Sequence, residues 1–206
     1  MLRFDIHGVF CDASAFIRRN KFKFLAAFLV VVIAFIFGAW NAVSITKSEE
    51  LFLRIQKYNV VLLIAGERKF FSYFFSRVLL SLLLVLTFSL LGVKVFSSYL
   101  SYGVLALYVY QYAFFIGTLL CYAKLVVLPL VLLCLIPFFL VGLCVLIYYA
   151  VFVVCFACEA HIERFSDLLY YAYLIKFPLV IAASVCLVVG LLESMLACLL
   201  TIGIVL

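Results

Sequence analysis

The sequence predicts an all-α, polytopic transmembrane helical bundle, with about five main spans and additional interfacial or re-entrant helices. Of its 206 residues, 71% are hydrophobic and 12% are charged, whereas an ordinary soluble domain carries about 25% charged residues. The apolar residues fall in runs that reach the roughly 20 residues needed to cross the hydrocarbon core of a bilayer. Because backbone groups in lipid must be hydrogen-bonded within their own segment, these runs are predicted to be helices. We interpret residues 1–206 as a single transmembrane domain.

The chain begins with a basic, amphipathic N-terminal segment, residues 1–23. Its basic residues cluster at 18–23, and its apolar residues recur at helical spacing, which is typical of a helix lying in the membrane interface. The segment and the run after it are too long for a cleavable signal peptide, so we expect a retained anchor. The first span is predicted from Phe24 to about Val43, with Trp40 in the interfacial aromatic belt.

A long polar stretch, residues 44–76, separates the first two predicted spans. It is rich in Lys, Arg and Glu, and its apolar part, residues 59–65, is too short to cross a bilayer. We therefore predict an extramembrane or interfacial loop. The second span follows from about Arg77 to Phe96, and Lys94 near its end is expected to extend its charged group towards the interface.

The third and fourth predicted spans are the least regular. The third, from Tyr99 to about Tyr122, is either one tilted helix or a broken, re-entrant pair. The fourth, residues 125–158, exceeds the length of one straight span. Pro129 and Pro137 each remove a helix hydrogen bond, so a kink or an interfacial first half is expected there.

The last span follows a short polar turn at residues 159–167. It is predicted to start near Tyr173 and to be interrupted by Glu193, after which residues 194–206 either extend the helix or fold back. An acid inside an apolar run marks either the membrane interface or a functional or packing site. We expect Glu193 to anchor this helix through a hydrogen bond rather than to carry a proton, with partners near the end of the first span or in the third: Trp40, Asn41, Ser101 and Tyr102.

The charged residues indicate a lipid bilayer, and no nucleic acid, as the partner of this chain. The net charge of +6 comes from basic residues at the ends of apolar runs, where they contact anionic headgroups and orient the protein. The dense cluster at residues 18–23 adjoins the first span, which usually dominates orientation. This pattern predicts a multi-pass protein of the cell membrane with a cytoplasmic N-terminus.

No pattern in the sequence specifies a chemistry. Signatures of membrane hydrolases and ATPases do not occur, so we predict no enzyme activity and no cofactor. The spacing Cys155-x-x-Cys158-x-x-His161 is only half of a zinc motif, and two membrane cysteines followed by an interfacial histidine explain it better than a metal site. The remaining candidates are structural or interaction residues: Gly38, Asn41, Pro129, Pro137 and Glu193.

The layout of these segments resembles the stage II sporulation protein M family of bacterial inner-membrane proteins. A basic segment precedes a first span that ends in FIFGAWN at residues 35–41, and FFSYFF at residues 70–75 leads from the charged loop into the second span. Prolines occur in the fourth span, and GLLESMLA at residues 190–197 resembles the small-apolar-Glu segment near the end of many family members.

The resemblance implies a non-enzymatic membrane scaffold that recruits or anchors partner proteins. In that family the partners are membrane or extracytoplasmic proteins, including peptidoglycan-degrading proteins. The alternative is a permease subunit of a small ABC-type transporter, in which the 159–167 turn would contact an ATPase. A transporter also needs a polar path through the membrane, for which the spans offer few groups besides Ser, Tyr and Gln111.

Overall fold

The computed structural model describes residues 14–45, 70–123, 128–160 and 165–205. These residues confirm the predicted all-α bundle, because five of their helices are long and apolar enough to cross a membrane. The chain is therefore a multi-pass integral membrane protein whose apolar helices contact a lipid bilayer. We number the helices α1 (Lys21–Ile45), α2 (Phe70–Leu91), α3 (Val95–Ala123), α4 (Ile136–Ala160) and α5 (Phe165–Val205).

Successive helices alternate in direction. Helices α1 and α3 are parallel, since Tyr102 donates a hydrogen bond to the Lys23 carbonyl at one end and Gly117 lies against Ala42 at the other. Helices α2 and α5 are antiparallel: the start of α2 lies beside the last third of α5, and the end of α2 lies beside its beginning. One end of the bundle, which we call the N-terminal end, thus carries the starts of α1, α3 and α5. The opposite end is called the distal end.

The structure decides between the alternatives left open for two helices and changes the bounds of a third. Helix α3 is one continuous helix rather than a broken pair, and α5 continues through Glu193, so the residues after it extend the helix. Helix α2 begins at Phe70, so the predicted loop at 44–76 is too long at both ends and Arg77 lies two turns inside a helix. A hydropathy pattern predicts that a charged residue marks the end of a span. A charged residue that is paired with an opposite charge can instead lie within the span.

The expected irregularity of the fourth span is a π-helical turn. A short helix, Leu128–Leu130, leads into the π-turn Val131–Leu135, in which the Ile136 amide donates to the Val131 carbonyl five residues earlier. Pro137 follows directly, and it has no amide hydrogen to restore the regular pattern. The predicted kink is therefore a change of hydrogen-bond register, after which α4 runs without a break.

The basic segment lies against the bundle where the structure describes it. Residues 14–19 form a helical turn, and the Phe16 ring packs against Tyr148 and Phe152 of α4 at centroid distances of 5.5 and 6.1 Å. Lys94 is exposed in the connection between α2 and α3, as predicted for a span boundary. The amphipathic interpretation of residues 1–13 and most of the loop interpretation of 44–76 lie outside the described residues.

Candidate functional site

A buried ion pair joins α2 to α5. Arg77 donates to Glu193 through Nε and Nη2, at 3.0 and 2.8 Å to Oε1, and Nη2 also lies 3.1 Å from Oε2. The side chains are 16% and 4% exposed, respectively. Two donors of one guanidinium thus meet a single carboxylate, which is the geometry of the strongest protein ion pairs.

The pair lies well within both helices. Arg77 is three residues from the start of the candidate span Phe74–Leu91, about 5 Å along its axis, and Glu193 is six residues, about 9 Å, from the end of the span Ile175–Leu199. Ionisable residues at such positions are expensive and are usually paired inside the bundle. Glu193 thus forms hydrogen bonds inside the bundle, as predicted. The partners predicted for it at the end of the first span and in the third were wrong, because it bonds to Arg77.

An aromatic pair supports the arginine. The Arg77 guanidinium carbon lies 4.9 Å from the centroid of the Tyr112 ring. Tyr112 in turn stacks on Phe139 of α4, with centroids 4.0 Å apart and ring planes inclined by 8°. A cation over an aromatic face gains electrostatic energy that increases when water is excluded, so this pair offsets part of the cost of burying the charge.

The π-turn makes two polar contacts with the same group of residues. The Tyr112 hydroxyl donates to the Leu135 carbonyl at 2.8 Å, and the Cys134 thiol donates to the Glu193 carbonyl at 3.3 Å. Insertions of this kind are frequent at functional sites of helical proteins. We call Arg77, Tyr112, Cys134 and Glu193 the charged cluster; it connects α2, α3, the π-turn and α5.

A glycine brings α2 and α5 close together beside the ion pair. A Cβ atom added at Gly190, one turn before Glu193, would meet the Val78 side chain at 2.8 Å. Because Gly190 has no side chain, the two helices approach closely enough for the arginine to reach the carboxylate. The segment 190–197 that carries the family resemblance is therefore part of the interface between α2 and α5.

A second contact region attaches α1 to α3. Small residues at Ala34, Gly38 and Ala42, four residues apart, lie buried on the face that meets α3, a spacing that allows close packing of helices in membranes. The Asn41 amide donates to the Tyr110 hydroxyl at 2.8 Å. Gly38 and Asn41, both identified from the sequence, thus belong to one interface.

A third polar group ties the N-terminal end of the bundle together. The hydroxyls of Ser89 and Tyr149 lie 2.6 Å apart, and Tyr171 donates to the Ser89 carbonyl at 2.7 Å. These three residues come from α2, α4 and α5. They show the same use of polar side chains as the charged cluster, which is to connect helices.

The first cysteine of the Cys155-x-x-Cys158 spacing contacts a basic residue. Lys23 donates to the Cys155 thiol at 3.4 Å. Within the described ranges, no three His, Cys, Asp or Glu side chains come together in a metal-binding group. His161 lies outside those ranges.

Of the residues chosen from the sequence, Glu193 belongs to the charged cluster, and Pro137 follows its π-turn. Pro129 lies in the short helix before that turn, and its side chain is outside the description. Sequence reasoning missed Arg77, Tyr112 and Cys134. The available signal was one base in the apolar run of α2 and one acid in that of α5, which satisfy each other if the helices pair.

No protein-family model, no curated protein and no solved structure matches the chain, so no relative assigns a role to these residues.

Proposed function

We propose that this chain is a non-enzymatic scaffold of the bacterial cell membrane that recruits or anchors partner proteins, as its resemblance to the stage II sporulation protein M family implies. The observation that carries the proposal is how the bundle uses its polar side chains. In the described part of the chain, every buried side-chain nitrogen or oxygen has a hydrogen-bond partner. The side-chain hydrogen bonds of the charged cluster, of the contact between α1 and α3 and of the Ser89 group join one helix to another. Such bonds favour a bundle with a fixed arrangement.

The charged cluster fits a fixed bundle better than a transport path. Its arginine donates two hydrogen bonds to the Glu193 carboxylate on one side and lies against the Tyr112 ring on another. Moving a solute past this pair would require both charges to find new partners within the membrane, at considerable expense. A scaffold needs no such exchange, since it acts by holding its partners at a raised local concentration.

The partners we propose are membrane or extracytoplasmic proteins, among them peptidoglycan-degrading proteins. The mechanism is binding alone. A hydrolase held at the membrane by this bundle would act on the cell wall beside it, and the chain itself would need no catalytic residue or cofactor.

The charges at the N-terminal end of the bundle favour a cytoplasmic location for that end. Arg18, Arg19, Lys21 and Lys94 are exposed there, and among the described side chains at this end Glu159 is an exposed acid. Basic residues close to the ends of spans are retained in the cytoplasm. The distal end, which carries the loop after α1, is then extracytoplasmic.

A cysteine introduced at Ser48 should react with a membrane-impermeant maleimide in intact cells. The predicted orientation places this loop outside the cytoplasm, and the parent chain with its native cysteines provides the background. Labelling of the introduced cysteine only after permeabilisation would reverse the orientation.

Deleting the gene should release peptidoglycan-degrading proteins from their membrane foci, because a scaffold supplies position and not activity. Fluorescent fusions of these proteins, imaged in the source bacterium with and without the gene, measure the effect. The intact gene should restore the foci. A gene that carries Leu83→Ala should restore them too, because this change only trims an exposed side chain of α2.

Unchanged foci in the deletion strain would contradict the scaffold proposal. Solute flux into proteoliposomes that depends on this chain, an added ATPase and ATP would support the permease alternative instead. The two outcomes are measured independently, so one set of purified protein and strains distinguishes them.

A further inference from the structure

Helix α3 presents a polar side chain away from the bundle in the middle of its span. The span covers Val95–Cys121, whose midpoint is Tyr108, and Gln111 lies three residues further, about 5 Å along the axis. Its side chain is exposed. Within the described part of the protein, no hydrogen bond or ion pair engages its amide.

An amide in this position is unfavourable in a single molecule. Its oxygen accepts hydrogen bonds and its nitrogen donates two, and hydrocarbon supplies neither donor nor acceptor. The other polar side chains at comparable depth have partners inside the bundle, such as Tyr112 with Leu135 and Tyr110 with Asn41. Gln111 thus lacks the hydrogen-bond partner that these side chains have within the bundle.

The residues around Gln111 form a surface suited to another helix. Leu100, Gly103, Leu107 and Gln111 follow one another at intervals of three, four and four residues, and all four are exposed. We call them the α3 stripe. This spacing keeps the residues on one face of a helix, and a Cβ atom added at Gly103 would meet nothing within 4 Å. A second helix can therefore approach the backbone closely at Gly103.

We propose that the α3 stripe binds the α3 stripe of a second copy of this chain, with the two Gln111 amides hydrogen-bonded to each other. Copies inserted in one orientation are related by a two-fold axis normal to the membrane, so each residue of the contact meets its own equivalent at the same depth. An amide is complementary to itself because it both donates and accepts. A second copy therefore always brings the required partner to the required depth.

The exposed face of α1, the helix that packs against α3, lacks these features. It carries large apolar side chains such as Phe28, Ile33 and Phe37, which lipid chains satisfy. The dimer contact is thus assigned to α3 and leaves the packing of α1 on α3 unchanged. This inference does not depend on the scaffold function.

The test is dimerisation of the full-length chain in liposomes of phosphatidylethanolamine and phosphatidylglycerol. Two populations of protein labelled with donor and acceptor dyes are mixed, and energy transfer is followed as lipid is added. We expect a dimer that Gln111→Leu weakens roughly three- to twentyfold, the range of measured membrane hydrogen bonds. Gln111→Asn keeps an amide and should retain most of the affinity, whereas Gly103→Leu should abolish close approach.

Because Gln111→Leu replaces an exposed polar group by an apolar one, the fold should persist, and its thermal unfolding temperature checks this. Wild-type protein that stays monomeric at every lipid ratio would overturn the proposal. So would a dimer that neither Gln111→Leu nor Gly103→Leu affects, since its contact would lie elsewhere. A partner span of another protein that binds wild type but not Gln111→Leu, while wild type alone stays monomeric, also overturns it.

Discussion

Replacing Glu193 with leucine should lower the free energy of unfolding by about 3–5 kcal/mol, the typical loss when one partner of a buried ion pair is removed. The change leaves the Arg77 guanidinium inside the bundle without the carboxylate that accepts its two closest hydrogen bonds. Arginine cannot escape this cost by losing its proton. Titration of the purified protein with SDS in mixed micelles, followed by circular dichroism, measures the loss.

The reciprocal variant and the double variant separate the ion pair from the packing around it. Arg77→Leu should also be destabilising, because it leaves the Glu193 carboxylate inside the bundle without the guanidinium that donates to it. In the double variant, Arg77→Leu with Glu193→Leu, both charges are absent, and such replacements are often neutral or stabilising. We expect its stability to lie within about 1–2 kcal/mol of the wild type, far from the sum of the two single effects.

Glu193→Gln provides a conservative comparison. Its amide oxygen still accepts a hydrogen bond from the arginine, but the charge that balances the guanidinium is gone. We therefore expect the free energy of unfolding to fall, but by less than in Glu193→Leu. If the loss of unfolding free energy in the double variant equals the sum of the losses in the two single variants, the two residues act separately. That outcome would contradict the role assigned to the charged cluster.

The general architecture follows from the sequence because it depends on how many apolar residues the chain has and on how long their runs are. The five spans, the boundary at Lys94 and the irregularity before Pro137 each reflect a local property of the chain: hydropathy, a solvated charge or a missing amide hydrogen. Such properties are visible in a window of about 20 residues. Gly38 and Asn41 are singled out by the resemblance of residues 35–41 to the end of the family's first span, which is also a local pattern.

The charged cluster was only partly predictable because its contacts join distant segments. Arg77 and Glu193 are 116 positions apart, and no local pattern says that α2 lies against α5. The sequence marks Glu193 as the acid in an apolar run, whereas Arg77 stands at the predicted start of the second span. The role of Tyr112 depends on the π-turn, which exists only in the folded chain.

Gly38→Ala should separate α1 from α3 and lower the free energy of unfolding by about 1–3 kcal/mol, as overpacking of a tight contact does. A Cβ atom at this position would lie 2.5 Å from the Tyr110 carbonyl oxygen and 2.9 Å from the Ala113 Cβ. The first of these atoms is backbone, so no side-chain rotation relieves the overlap and the helices must move apart. The Asn41 to Tyr110 hydrogen bond, one turn further along α1, should then lengthen or break.

Gly142→Ala is the matched control, because its added Cβ would lie 3.9 Å from Val189, an ordinary contact distance. Alanine also favours a helix over glycine by about 1 kcal/mol, so the control should be neutral or slightly stabilising in the same SDS titration. Energy transfer between dyes placed at the distal ends of α1 and α3 should decrease for Gly38→Ala and stay constant for Gly142→Ala. Equal behaviour of the two variants would mean that α1 and α3 do not need the close approach that Gly38 permits.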